Sequence, residues 1–197
     1  MAVHTIKKGL TLPIAGDPEQ RIDAGRVVRR VALLADDYIG MRPTMLVQVG
    51  DAVKRGQPLF EDKKNPGVIF TAPAAGAVVA VNRGEKRAFQ SVVVELSAAE
   101  LKGEPDQVAF TSYTGNEPAG LGRDQVAALL LESGLWTSLR TRPFSKIPAP
   151  GATPHAIFVT ATDTNPHAPN PELIIRGHER DFERGLFLFQ FLTVSIL

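Results

Sequence analysis

The sequence contains no cysteine, and this absence removes several kinds of chemistry. None of its 197 residues is a cysteine, so disulfides, thiolate zinc sites and cysteine-ligated iron–sulfur clusters are excluded. Histidine is scarce as well. His4, His155, His167 and His178 are dispersed, and no two of them have the spacing that places two metal ligands on one helix. We therefore expect no metal site and no covalent metal cluster in this chain.

The chain also has little net charge and no long apolar run. Its 22 lysines and arginines face 21 acidic residues, whereas binding to a nucleic-acid backbone needs clustered, uncompensated cations. The apolar run over residues 185–197 is shorter than the ~20 residues that cross a bilayer. The N-terminal MAVHTIKKGL lacks the apolar segment of a signal peptide. The sequence predicts a globular protein without a nucleic-acid partner, a membrane span or a secretion signal.

A β-module is encoded in the stretch Val47–Val78. Gly50-Asp51 and Gly56-Gln57 lie six residues apart, where a strand must reverse and glycine permits the positive φ that such turns need. The stretch contains V-x-x-G-D-x-V-x-x-G-Q-x-L and then A-P-x-x-G-x-V, a pattern that resembles the biotinyl/lipoyl carrier fold. We predict this fold, a barrel-sandwich hybrid, for residues 26–100. The pattern indicates a fold and says little about function.

A carrier domain would need a modifiable lysine at the tip of its central hairpin. The hairpin of this module is symmetric about a point between Asn65 and Pro66, which are strong turn residues. Lys63 and Lys64 are then predicted to lie on the outgoing strand, before the tip. We predict that the module carries no covalent group, and a lipoyl or biotinyl carrier remains the alternative.

The remainder of the chain predicts a mixed α/β protein. Residues 1–25 are rich in glycine and proline and predict an arm packed over the next domain. Residues 101–197 predict a linker and then a partial Rossmann-like α/β region. This region contains a helix over 123–133, a buried strand over 156–162 and a helix over 179–192. It has no glycine-rich phosphate loop.

Two loops have the composition of a site for a flat ligand. The first follows a predicted strand and the second follows the first helix; both place aromatic or sulfur-containing side chains beside cations. Aromatic rings stack on a flat ring, and arginine and lysine donate to its oxygens. The same residues also suit a plug between two domains, a protein interface or single-stranded nucleic acid. The candidate residues are Tyr38, Met41, Trp136, Arg140, Arg142, Phe144 and Lys146.

Four segments together resemble the A subunit of the bacterial Na+-translocating NADH:quinone oxidoreductase. They are IKKGLTLPIAG (6–16), the run from YIGMRP to VVVEL (38–96), SGLWTSLRTRPFSKIPA (133–149) and AIFVTATDTNP (156–166). The chain is more distantly similar to the C subunit of the Rnf electron-transport complex. The matching segments cover most of residues 1–175.

The resemblance implies a peripheral subunit on the cytoplasmic face of the bacterial inner membrane. It would belong to a six-subunit membrane enzyme that oxidises NADH, reduces ubiquinone and pumps sodium. The flavins and iron centres of that enzyme lie on other subunits, so we expect neither a flavin nor an iron–sulfur cluster here.

In the family, segments associated with quinone and with inhibitors of the quinone step align with residues 33–41 and 136–146. We therefore predict that the chain contributes to quinone binding or to assembly, is not catalytic alone and has no redox centre of its own. A structural scaffold subunit without a ligand is the alternative.

Two features depart from the family pattern. His167 stands where the family has leucine, and residues 186–197 (LFLFQFLTVSIL) resemble nothing in the family's continuation. The resemblance therefore implies that the α/β region is truncated.

Overall fold

A computed structural model describes residues 9, 14–104, 106–115, 120–163, 165–193 and 195–196. About half of the predicted N-terminal arm, residues 1–8 and 10–13, lies outside these ranges. Its described part, residues 14–25, forms no helix or strand and is largely exposed. Gln20 Oε1 accepts a hydrogen bond of 2.9 Å from the Asn170 N–H, so this part contacts the C-terminal half of the chain. The predicted domain boundaries stay predictions.

Seven short strands in two antiparallel sheets form the first half of the protein. One sheet has the order β1–β7–β6–β3 and the other has the order β2–β4–β5. Both sheets contribute apolar side chains to one core, as a biotinyl/lipoyl-like module requires. The strands are β1 (Arg30–Leu34), β2 (Pro43–Met45), β3 (Ala52–Val53), β4 (Pro58–Asp62), β5 (Ile69–Thr71), β6 (Gly76–Arg83) and β7 (Phe89–Leu96). The buried core residues of the module include Leu59, Phe60, Val68, Phe70, Val78, Val92 and Val94.

The tip of the β4–β5 hairpin differs from its prediction in one respect. Strand β4 ends at Asp62, so Lys63 and Lys64 lie in the turn and not on the outgoing strand. The cause is the buried Asp62 carboxylate. Its Oδ1 accepts from the Arg42 and Lys64 N–H groups and its Oδ2 accepts from Asn65 Nδ2, each at 3.0 Å. These bonds turn the chain back directly after Asp62.

The segment after the module begins with helix α1 (Ala98–Leu101) and is tied to the barrel. Glu100 has a nearly buried side chain that forms a salt bridge with Arg55 and accepts from the Ala75 N–H at 3.0 Å. The hydrogen bond from Arg55 is the main cause of a lowered pKa of Glu100. Helix α1, at the boundary between the predicted module and the predicted linker, is thus anchored to the barrel.

The second half combines helices with a small parallel sheet. The helix predicted over 123–133 is confirmed as α2 (Arg123–Glu132), and the one predicted over 179–192 is α4 (Glu179–Gln190). The strand predicted over 156–162 is wrong in extent, because β8 contains only Ala156–Ile157. Strand β8 pairs in parallel with β9 (Ser195–Ile196), and Phe158 directly after β8 is 71% exposed. Helix α3 (Pro171–Ile175) and α4 connect the two strands, as in a βαβ unit.

Glu132 at the end of α2 holds the preceding segment and gives a pH-dependent prediction. Hydrogen bonds from Ser112 and, secondarily, Thr111 lower the pKa of Glu132 from 4.5 to about 2. Because the pKa of this carboxyl group is lower in the folded protein, its ionisation stabilises the fold at pH values above its ordinary pKa of 4.5. This contribution is lost as the pH falls towards about 2. We expect Glu132→Gln to be less stable than the parent at pH 7, with the difference shrinking between pH 4.5 and 2.

Urea unfolding over a pH series measures this difference. Glu104→Gln, which changes an exposed carboxylate, is the matched control and should show no such convergence. A stability difference for Glu132→Gln that stays constant over the whole series would contradict the assignment.

Candidate functional site

The two loops predicted to bind a ligand meet in the folded protein. Tyr38 follows the 3-10 turn Ala35–Asp37, and Arg140 lies shortly after the 3-10 turn Leu135–Ser138. Arg140 donates to the backbone oxygen of Asp37 at 3.2 Å, across 103 positions of sequence. Its guanidinium carbon lies 5.4 Å from the centroid of the Tyr38 ring, which is within the range of a cation–π contact.

The Tyr38 ring stands at the end of a column of aromatic side chains in the core. It contacts Phe70 edge to face, with centroids 4.7 Å apart. Phe70 stacks on Phe60 at 4.5 Å, and Phe60 contacts Phe89 at 5.2 Å. Because Phe60 and Phe70 are fully buried, the column holds the half-buried tyrosine rigidly in place.

The surroundings of Tyr38 raise the pKa of its phenol. Burial raises the pKa of Tyr38 above 10.0, and the nearby Asp37 adds to the rise. The Arg140 charge and a hydrogen bond with the Thr137 side chain act in the opposite direction with smaller effect. At neutral pH the site therefore contains a neutral phenol, which can donate a hydrogen bond, beside a permanently charged guanidinium.

The outer part of the second loop is exposed. Phe144 is 71% exposed, and Lys146 Nζ lies 5.9 Å from the centroid of its ring. The Lys146 side chain also reaches the first loop. A Cβ built at Gly40 would lie 3.9 Å from Lys146 Cε. The Thr141 N–H and hydroxyl donate to the Lys146 backbone oxygen at 2.8 and 3.0 Å and close the loop. Arg142, within this closed loop, is exposed.

Trp136 does not have the position that a stacking role requires. Only 3% of its surface is exposed, and its Nε1–H donates to the Pro148 backbone oxygen at 2.9 Å. Its indole is a core group, so its faces are not open to a ligand in this structure. Met41 is half-buried and packs against the same core. Of the predicted aromatic residues, Tyr38 and Phe144 are the ones with accessible surface.

A close approach between the two halves positions the second loop. The Thr71 hydroxyl of β5 donates to the Ser133 backbone oxygen at 2.9 Å. Gly134 has φ +79°, and a Cβ there would lie 2.6 Å from Thr71 Oγ1. In the sequence, Gly134 is only the residue that follows the helix predicted over 123–133. Its second role, contact with the β-module, has no local sequence signal because Thr71 is distant in the chain.

Three groups that support the site were not predicted from the sequence. The Asp37 and Thr137 backbone carbonyls hold Arg140, and the Asp62 carboxylate shapes the loop at Arg42. A backbone carbonyl carries no residue-type signal, and an aspartate in a polar turn is common. Their roles depend on contacts between distant segments.

Two kinds of feature are absent from the described ranges. They contain no group of three or more His, Cys, Asp or Glu side chains that could hold a metal ion. Among the helices of those same ranges, none combines the length and the hydropathy of a membrane span.

Two protein-family models match this chain. The model for the NqrA N-terminal barrel-sandwich hybrid domain matches residues 4–97. The model for the NqrA second alpha/beta domain matches residues 121–196. The chain belongs to the NqrA family. This membership confirms the predicted resemblance, the barrel-sandwich hybrid module and the mixed α/β class.

Curated relatives in the NqrA family support the same conclusion. The chain is 57% identical to the A subunit of the Na(+)-translocating NADH-quinone reductase of Histophilus somni over 182 residues, which are 92% of this chain and 40% of the relative. It is 57% identical to the A subunit of Vibrio campbellii and 56% identical to that of Shewanella amazonensis, each over 96% of this chain and 41% of the relative. The chain thus spans about two fifths of the length of these relatives.

The two NqrA domain matches divide the Arg140–Tyr38 contact between them. Tyr38 falls within the barrel-sandwich hybrid match and Arg140 within the alpha/beta match. The Arg140–Tyr38 contact therefore joins the two NqrA domains. Any ligand that touches both side chains would bind at their junction.

Proposed function

We propose that this chain serves in a sodium-pumping NADH:ubiquinone reductase as part of the A subunit of that enzyme. The proposal places it peripherally at the cytoplasmic face of a bacterial membrane, in contact with the other subunits of a six-subunit complex. NADH oxidation, the flavins and the iron centres belong to those subunits in this proposal. The names and the 56–57% identity of the relatives support it.

Within this role, we propose that the Tyr38–Arg140 junction binds a quinone. The observation that carries the proposal is the contact of Arg140 with both Asp37 and Tyr38, which brings the two predicted loops into one surface. A quinone headgroup is flat and has two carbonyl oxygens. The exposed Phe144 ring offers a stacking face, while the Tyr38 phenol, Arg140 and Lys146 offer donors.

The same donors suit the chemistry of reduction. Negative charge builds on the quinone oxygens as electrons arrive, and preorganised cationic donors stabilise such charge more strongly than they stabilise the neutral ligand. The chain supplies binding and electrostatics in this proposal, and the electrons come from other subunits. Arg142 and Met41 belong to the loops of the proposed site, at its exposed rim and its buried edge respectively.

The test is quinone affinity in a matched pair of variants. Phe144→Ala removes the proposed stacking face, and Phe158→Ala removes an equally exposed phenylalanine, 71% in each case, from outside the two loops. We expect Phe144→Ala to weaken binding of a short-chain ubiquinone about tenfold, as the loss of one stacking contact predicts. Phe158→Ala should bind as the parent does.

Equilibrium dialysis measures the affinity without relying on the single tryptophan. Equal affinities in both variants, or no quinone binding by the parent, would refute the quinone site. Reduced co-purification of Phe144→Ala with the other subunits, with unchanged quinone affinity, would favour the scaffold role. The buried Trp136 already has the packing position expected in a scaffold.

We further propose that the module is unmodified. Although Lys63 and Lys64 lie in the hairpin turn, the tip itself is Asn65-Pro66. The backbone N–H groups of both lysines are tied to Arg42 and Asp62 at 2.8 and 3.0 Å. This anchored turn does not resemble the free lysine tip of a swinging carrier.

A further inference from the structure

Three loops form one continuous basic face on the protein, which we call the basic loop face. It consists of residues 39–42, 63–67 and 140–146. The Lys63 N–H donates to the Arg42 backbone oxygen at 2.8 Å, which joins residues 63–67 to residues 39–42. The Lys146 side chain lies against Gly40 and joins residues 140–146 to residues 39–42. Its six cations, all in exposed residues, are Arg42, Lys63, Lys64, Arg140, Arg142 and Lys146.

The charge of this face is poorly compensated. None of the six cations has a carboxylate within 4.0 Å among the described residues. Of the carboxylates beside the face, Asp62 is buried and turned to backbone N–H groups, and Glu61 accepts from the Gly67 N–H at 2.7 Å. Asp36 and Asp37 stay exposed at its edge. The face is therefore a local excess of positive charge in a chain whose net charge is +1.

Two exposed apolar side chains stand among these cations. Phe144 is 71% exposed and Ile39 is 55% exposed, each on a different loop. Large apolar side chains flanked by lysine and arginine are typical of surfaces that rest on a lipid interface. There the cations attract anionic headgroups, and the apolar groups enter the boundary with the acyl chains.

We propose that the basic loop face docks on a membrane surface that carries anionic lipids. The lysines and arginines contact the headgroup phosphates, and Phe144 and Ile39 enter the interface. An acidic protein would need a fitted recess for each of these two side chains, whereas a lipid surface accepts apolar groups from separate loops without a fixed geometry. The inference deepens the peripheral placement in the proposed function. Its test needs neither quinone nor another subunit, so the two proposals can fail separately.

The first test is sedimentation of the chain with vesicles of phosphatidylcholine, with and without phosphatidylglycerol. We expect binding that requires phosphatidylglycerol and weakens with added salt. Each cation near such a surface is worth about fivefold in affinity, so Lys63→Gln/Lys64→Gln should lower the partition coefficient about 30-fold. Neither lysine belongs to the proposed quinone site.

The matched control makes the same change of charge at the other end of β1. Arg26 and Arg29 are exposed and precede β1, whereas residues 39–42 of the basic loop face follow it. Arg26→Gln/Arg29→Gln should keep most of the vesicle affinity. Equal losses in the two double variants would overturn the assignment of this face, because they would indicate a response to net charge alone.

The apolar part of the proposal has its own pair of variants. Phe144→Ser should lower vesicle affinity about tenfold, as the loss of one inserted aromatic side chain predicts, and Phe158→Ser should not. Circular dichroism checks that each variant is folded, and the salt dependence of the parent tests the proposal without any substitution. Equal binding to neutral vesicles, or binding to polyglutamate without binding to vesicles, would overturn the lipid assignment.

Discussion

Gly76→Ala is expected to destabilise the β-module strongly. An alanine Cβ at this position would lie 1.9 Å from the Glu95 backbone oxygen and 3.1 Å from Leu96 Cα. Both contacts involve the backbone of β7, so no side-chain rotation relieves them. Strand β6 would have to leave β7, its longest partner in the barrel. We expect a loss of at least about 3 kcal/mol, a large part of the roughly 5–15 kcal/mol of a typical domain.

Urea unfolding followed by circular dichroism measures this loss. The matched control is Gly25→Ala, since no heavy atom lies within 4 Å of a Cβ built at Gly25. The control should stay within about 0.5 kcal/mol of the parent. A Gly76→Ala protein that unfolds at the parental urea concentration would show that β6 and β7 tolerate a wider separation than the structure indicates.

Trp136→Ala is expected to destabilise the protein by about 3–5 kcal/mol, as the truncation of a buried large aromatic side chain does. The indole packs in one core cluster with Val126, Ile147 and Leu192. Its removal would leave a cavity where α2 meets the loop that contains Arg140. The substitution would also remove the hydrogen bond of 2.9 Å that the Trp136 Nε1–H donates to the Pro148 backbone oxygen.

Trp136→Phe separates packing from hydrogen bonding. Phenylalanine fills most of the space but cannot donate, so we expect a loss of about 1–2 kcal/mol. Phe144→Ala, which truncates a side chain that is 71% exposed, should change stability by less than about 0.5 kcal/mol. Circular dichroism is the appropriate probe, because two of these variants lack the single tryptophan.

The Trp136 result also bears on the quinone proposal. A stability of Trp136→Ala equal to that of the parent would mean that the indole is not a core group, and it would return Trp136 to the set of ligand-binding residues. With the expected loss, the effect of this substitution on a quinone reaction reports folding. The exposed Phe144 is therefore the better probe of binding.

Local patterns predicted the module and the helices well. The Gly-Asp and Gly-Gln turns of residues 47–78 are short-range features, and Gly50 and Gly56 have the positive φ values, 100° and 83°, that their turns require. The apolar spacing of 123–133 depends only on neighbouring residues and gave α2 within one residue. The strand predicted at 156–162 failed because strand pairing depends on a partner, and β9 pairs with just two of its residues.

The candidate site was predicted as two loops, but its internal arrangement was not. Composition identified Tyr38, Arg140, Phe144 and Lys146 as suitable residue types. It gave Trp136 the same weight, since exposure is not written in the residue type. Lys63 and Lys64 were placed on a strand because the effect of the Asp62 carboxylate on the chain direction depends on its burial.

The amino-acid pattern alone was enough to establish the family, the barrel-sandwich hybrid module, the lack of cysteine chemistry and the two loops that carry aromatic and cationic side chains. These conclusions depend on residue types and on spacings within short segments. The folded structure was needed to show that Arg140 lies over Tyr38, that Trp136 is core and Phe144 is surface, and that cations from three loops share one face. Each of these facts is a contact or an exposure set by residues distant in the chain, such as the 103 positions between Asp37 and Arg140.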